Sequence, residues 1–353
     1  VRTTTLVLIL AAGAGAGCGS AAAPVAATTP SPSAPSVLAW RWRDLTPAGG
    51  LAPEPRAHGV AVYDAVGRRL VVFGGQGQRS LFDDTWAFDL ARSAWSRLET
   101  RGGPPAARLG ADAVYDPVGR RLVLWAGQAG SHFFDDTWAL DLATLEWRDL
   151  TPDVRPQARY GSASVFDPVQ RRLVQFAGFT DLSRRFRDTQ AFDLAAHRWE
   201  DLTPPEGGPR VRCLLTAALH APSRRMIVYG GQNNGFLDDL WAFDLATRAW
   251  TDLTTPARPP GRLLASSFVD REGRFMVFGG RTEIGQGNDT WVFDLARAEW
   301  SLLAVTDKPR ARDSAMTAFA EADERFLVFG GREAALMNDV WELARVPVPA
   351  AVP

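Results

Sequence analysis

The 353-residue sequence predicts an all-β fold, six repeated four-stranded antiparallel sheets set around one axis. Three observations predict it. Glycines that close short apolar runs recur at Gly75, Gly127, Gly178, Gly231, Gly280 and Gly331, at intervals of 52, 51, 53, 49 and 51 residues. Within each unit, strand-length apolar or alternating runs are separated by turn residues, and no stretch shows a helical 3.6-residue period. Large aromatics occupy two fixed positions, each in five of the six units, and small residues a third. A lone four-stranded sheet cannot bury both faces. Six sheets set radially can, each packing its aromatics on the next, as in a six-bladed β-propeller.

Residues 1–17 read as a secretory signal: Arg2, an apolar stretch from Leu6 to Ala12, then small residues up to Cys18. The stretch is too short for a permanent membrane span. Its small-small-Cys ending resembles a bacterial lipoprotein signal, which implies lipidation of Cys18; the alternative is plain secretion. Residues 18–37 form a Pro/Ser/Ala/Thr tether expected to be disordered. The propeller is assigned to residues 38–346, and residues 347–353 to a tail.

Each unit opens with a run rich in small residues, such as GVAVY from Gly59 or ADAVY from Ala111. Ala61, Ala113, Ser164, Ala217, Ser266 and Thr317 are the small side chains expected at the crowded axis. A turn follows (DAVGRR, DPVGRR, DPVQRR), where Asp, Pro and Gly supply turn chemistry. The second strand is nearly all apolar and ends in glycine (LVVFGG, MIVYGG, FLVFGG), as a strand buried on both faces should be. After a variable loop, the third strand reads DTWAFDL or close to it. The fourth carries Trp95, Trp147, Trp199, Trp250 or Trp300. These rings, with Trp86, Trp138, Trp241, Trp291 and Trp341 of the third strands, fill the wedge that widens away from the axis. The sixth unit lacks a fourth strand after NDVWELA, whereas WRWRDLTP near the N-terminus matches EWRDLTP of the second unit. The strand from Trp40 to Leu45 is therefore expected to complete the last blade and close the ring.

The glycine doublet followed by spaced aromatics, repeated six times between Trp40 and about Arg345, resembles kelch-repeat propellers, the central domain of galactose oxidase among them. Departures are Ala126 and Ala177 for the first glycine of the doublet, and Gln190 for the third-strand Trp. The resemblance implies a six-bladed kelch-type β-propeller. It implies an interaction module more often than an enzyme, and function then has to be argued from the site.

Two ionisable features recur in every unit. One is an Asp two residues before the third-strand aromatic: Asp84, Asp136, Asp188, Asp239, Asp289 and Asp339. The other is an Arg before the first strand: Arg56, Arg108, Arg159, Arg212, Arg262 and Arg312, with Arg262 one place out of register. Six carboxylates or six guanidiniums around a mouth would suit a cation or an acidic ligand. What every blade repeats is better explained by what every blade needs, so these residues are assigned a structural role.

Binding is expected where the repeats disagree, in the loops between second and third strands. The most asymmetric is FTDLSRRFR, with Arg184, Arg185 and Phe186; Asn233, Asn234 and Phe236, then Phe82, His132 and Phe133, complete the candidate set. Such aromatics either form a rim for a sugar or peptide or fold back between blades. Catalysis finds little support. The four histidines, His58, His132, His197 and His220, have no metal-cluster spacing. No nucleophile-elbow, P-loop or zincin motif occurs, and the copper site of galactose oxidase is not carried by any residue pattern here. Cys213 reads as a small buried residue rather than a nucleophile. No metal and no cofactor is expected.

Net charge is −1, which argues against nucleic acid and against a membrane surface except through a lipid on Cys18. The expectation is an exported, cell-envelope binding module, a monomer, with a protein or carbohydrate on the loop face. The alternatives are a carbohydrate-active envelope enzyme with its site at the channel mouth, and a scaffold without a small ligand.

Overall fold

The computed structural model describes residues 36–349 apart from 182 and 183. The signal, Cys18 and most of the tether lie outside the described residues. The described chain forms six four-stranded antiparallel sheets. Blade one comprises Val60–Asp64, Arg69–Phe73, Thr85–Asp89 and Ala94–Arg97. Blades two to five repeat that order from Asp112–Asp116, Ala163–Asp167, Thr216–His220 and Ser266–Val269. Blade six has Met316–Ala320, Arg325–Phe329 and Val340–Pro349 from the C-terminal end, and its outer strand is Ser36–Asp44. The closing strand thus starts before Trp40, and the last strand runs past 346.

The N-terminal strand takes over the packing and the hydrogen bond of a fourth strand. In blades two, three and four a Thr hydroxyl just after the fourth strand accepts the N–H of the third strand's first residue: Thr151 from Thr137, Thr203 from Thr189, Thr254 from Leu240. In blade six Thr46 accepts from Val340 at 3.0 Å. The fourth-strand Trp of each blade packs on the aromatic that ends the preceding blade's second strand. Trp147 meets Phe73, Trp199 meets Trp125, Trp250 meets Phe176, Trp300 meets Tyr229 and Trp95 meets Phe329, at centroid distances of 4.4–5.3 Å. Trp42 fills the sixth place, 4.7 Å from Phe278. Offset or edge geometry of this kind adds about 0.5–1.5 kcal/mol per pair beyond area burial. The hydrophobic clusters therefore lie between blades rather than in one central core.

One small-residue assignment shifts. The cross-strand partners Ala61–Val72, Ala217–Val228 and Ser267–Val277 are equivalent, so Ser267, not Ser266, faces the axis in blade five. The cause is a first-to-second-strand turn one residue shorter than in the other blades. Counting back from Gly280 misplaces what precedes that turn. The same deletion produced the apparent offset of Arg262.

Candidate functional site

The face that carries the second-to-third-strand loops is built on a repeated frame. The Arg before each first strand is at most 1% exposed and spans its own blade to the Asp before the third strand. All six pairs are bidentate, with N–O distances of 2.5–3.0 Å. The same guanidinium donates to the carbonyl of the first doublet residue, as Arg212 does to Gly230 at 3.0 Å. The carboxylate also accepts the indole N–H of the Trp two residues on, at 2.6–2.9 Å in five blades. In blade three Gln190 supplies the donor instead, from its side-chain amide to Asp188 at 3.2 Å. This explains both the spacing and the one tolerated substitution. Burial alone would raise Asp84, Asp239 and Asp289, but the Arg hydrogen bonds and charge, with the indole donor, hold them below the ordinary carboxylate range.

The frame also couples neighbours. The second doublet glycine donates its N–H to the next blade's frame Arg carbonyl all around the ring, from Gly75 to Arg108 and finally from Gly331 to Arg56. Gly75 has φ +96°, and a Cβ there would lie 2.8 Å from the Ala57 carbonyl oxygen and the Gly59 nitrogen, so only glycine fits. Ala126 and Ala177, at φ 65°, show that the first doublet position accepts a left-handed alanine.

The loop aromatics expected on an open rim divide. Phe186 is buried, with the Arg159 guanidinium 4.1 Å above its ring. Phe82 and Phe134 cover Arg56 and Arg108 in the same way, at 3.9 and 3.8 Å. Phe186 and the half-buried Phe82 thus pack against the frame: each ring covers a buried cation, a contact worth about 0.5–2 kcal/mol. Phe133 is half-buried with its edge on Phe179 at 5.8 Å, and Phe236 is half-buried in its loop. Exposed at the same face are Arg79, His132, Arg184, Arg187, Asn234, Arg281 and Ile284; Arg185 and Asn233 are half-buried. Ile284, at the tip of a short hairpin, is fully exposed. Sequence reading missed it, because a lone Ile between polar residues gives no periodic signal.

Toward the axis the loop face narrows. His58, Gly110, Gly161, Leu214, Leu264 and Ser314 all have positive φ. Their backbones bond from blade to blade: His58 N–H to Ser314, Ser314 to Leu264, Leu264 to Leu214, Leu214 to Gly161, and Gly110 to His58. Residues in direct backbone contact around an axis leave a constriction. The Tyr160 hydroxyl lies 3.4 Å from His58 Nδ1. Burial, then the nearby Arg332 charge, lowers the His58 imidazole to about 4, so it is neutral at physiological pH. Cys213 is buried, and burial raises its thiol above the usual range. Among the described residues no group of three His, Cys, Asp or Glu is placed to hold a metal ion.

The opposite face carries a network that the turn motif did not reveal. Buried Asp64, Asp116 and Asp167 each bind the Arg that begins their own second strand, and also an Arg from the turn of the next blade: Arg120, Arg171 and Arg224. At the other, loop-face end of the first strands, Asp112 of blade two accepts Ser162 and Ser164 hydroxyls of blade three, at 2.5 and 3.1 Å. Desolvation pushes the Asp112 carboxyl up to about 6 against those bonds. An acid raised in the folded state favours folding below its unfolded pKa, and that contribution is lost as pH rises through the folded value. Asp112→Asn, which keeps an acceptor for both serines, is therefore expected to melt higher than the parent above pH 6. The two curves should converge below about pH 4; thermal unfolding across that range checks it.

The family profile described as "KLHDC2/KLHL20/DRC7 Kelch-repeats domain" matches residues 36–221 and 208–346. The chain is 27% identical over 250 residues to N-(sulfonatooxy)prop-2-enimidothioate sulfolyase of Thlaspi arvense, covering 64% of this chain and 70% of that protein. It is 32% identical over 240 residues to serine/threonine-protein phosphatase BSL2 of Arabidopsis thaliana, covering 64% of this chain and 22% of that one. Host cell factor homolog hcf-1 of Caenorhabditis elegans is 29% identical over 235 residues, 60% of this chain and 29% of its own length. The chain spans 5% of the flagellar outer arm dynein alpha chain of Chlamydomonas reinhardtii, at 25% identity. With the family profile running from the closing strand through blade six, the chain belongs to the Kelch-repeat family.

Proposed function

We propose that this protein is an exported, envelope-tethered binding module, its ligand a protein or an anionic carbohydrate docked on the loop face. Kelch propellers generally mediate protein interactions. The single observation that carries the reading is that six nearly identical Arg–Asp frames support six unlike loops. Those loops hold six arginines (Arg79, Arg184, Arg185, Arg187, Arg281 and Arg332) against three carboxylates (Asp181, Glu283 and Glu333). Loops with surplus guanidinium and a fully exposed Ile284 suit an acidic partner with an apolar contact point. The signal and Cys18 supply the tether.

The test is binding of residues 36–353 to an array of glycans, peptidoglycan fragments and acidic peptides, repeated with Arg184→Ala/Arg187→Ala. The expected result is selective binding that weakens with added salt and falls at least tenfold in the double variant, with thermal stability unchanged. Selective binding that the double variant leaves intact would place recognition elsewhere.

A further inference from the structure

A cavity of about 460 Å³ runs along the propeller axis. Its mouth is on the face opposite the variable loops, where the exposed turn residues Ala65, Pro117, Pro168, Ala221 and Ala322 line it. From there it passes rings of first-strand side chains. Tyr63, Tyr115, Phe166, Leu219 and Phe319 come first, then Ala61, Ala113, Ser164, Ala217 and Ser267. Toward the loop face the inter-blade backbone ring around His58 and Leu264 constricts the axis, so the space is a funnel with one wide end.

The lining states what would fit. Its walls are aliphatic and aromatic, with Phe268 and Phe319 stacked at 4.6 Å on one side. Among the described lining residues the one carboxylic acid is Glu321, exposed at the mouth, and there is no Arg, Lys, Asp or His. Polar groups are few and unevenly placed. The Ser164 hydroxyl is committed to Asp112, and Ser267 pairs with Thr216 at 2.6 Å. The Tyr115 hydroxyl oxygen is buried beside the Ala65 backbone and is closed to the funnel, whose wall there is the aromatic ring. An apolar, mostly preformed concavity of this size with a few fixed polar groups has the character of a small-molecule site.

We infer that the axial funnel is a binding site for an uncharged, largely apolar small molecule, which enters from the turn face and packs against the ring of first-strand side chains Tyr63, Tyr115, Phe166, Leu219 and Phe319. Charged ligands are disfavoured, because the wall offers no counter-ion below the mouth. This site lies on the opposite face from the loops, and the two readings succeed or fail separately.

The probe is N-phenyl-1-naphthylamine, an uncharged aromatic amine whose fluorescence rises in apolar surroundings. The expected result is saturable binding with one site per chain. Ala217→Phe, which fills the funnel, should weaken binding at least tenfold. Ala65→Trp, at the exposed mouth where folding is not at stake, should weaken it severalfold, and Arg184→Ala should leave it unchanged. Absence of saturable binding would overturn the proposal. So would binding that Ala65→Trp and a folded Ala217→Phe both leave intact.

Discussion

Replacing Asp239 by Ala is expected to destabilise the propeller by about 3–5 kcal/mol, the range for breaking a buried ion pair from one side. Arg212 is fully buried, and both of its terminal nitrogens bond Asp239, at 2.7 and 2.6 Å. Without the carboxylate the guanidinium keeps the Gly230 and Arg210 carbonyls but loses its counter-ion in a site that water reaches poorly. The Trp241 indole loses its acceptor at the same time. Denaturant unfolding checks the cost. Acid should act in the same direction. The depressed carboxyls of Asp84, Asp239 and Asp289 stabilise the fold above the unfolded carboxylate pKa, and that contribution disappears as pH falls through their lower folded values.

The second large effect concerns closure. Trp42→Ala should cost about 3–5 kcal/mol, as large aromatic truncations in cores do. Trp42 is buried, packs on Phe278 at 4.7 Å, and fills the wedge between blades five and six with Phe326. Deleting residues 36–46 should do more than remove one ring. It uncovers the whole edge of Val340–Pro349, and an unpaired strand edge recruits other chains. The expected result is loss of the single cooperative unfolding transition together with self-association in sedimentation. A monomeric, cooperatively folding truncation would show that the strand is an accessory.

The propeller was legible because repetition makes each unit a check on the others. The pairing of WRWRDLTP with the incomplete last unit carried the closure, and Thr46 shows why the match extends through the DLT triplet: the Thr bonds the neighbouring strand. The Asp two places before the aromatic was legible as recurrent, while its mechanism was not. Its partners, Arg56 and its equivalents, stand 27–29 residues away in sequence, and only the folded blade brings them together.

Loop aromatics were the least legible. Phe82 and Phe186 sit at the ends of variable loops, and nothing in their local sequence says that a guanidinium from the blade edge lies over each ring. The same limit hid the turn arginines. In the turns of blades two, three and four an Arg reaches back to the preceding blade's Asp, as Arg120 does to Asp64 at 3.0 Å. Small first-strand residues signalled a crowded axis, but the one-sided opening follows from left-handed residues such as Leu214 and Leu264, which no composition rule marks.

The central claim is that the repeated Arg–Asp pairs are the frame and the unlike loops are the recognition surface. A double-mutant cycle across Arg212 and Asp239, read by unfolding free energy with array binding measured on each variant, tests it most directly. The account predicts a coupling energy of at least about 1 kcal/mol, within the range seen for groups in direct contact, with loop-face affinity retained in every variant that folds. Negligible coupling, with stability preserved and binding lost, would contradict it and move these residues from the frame to the site.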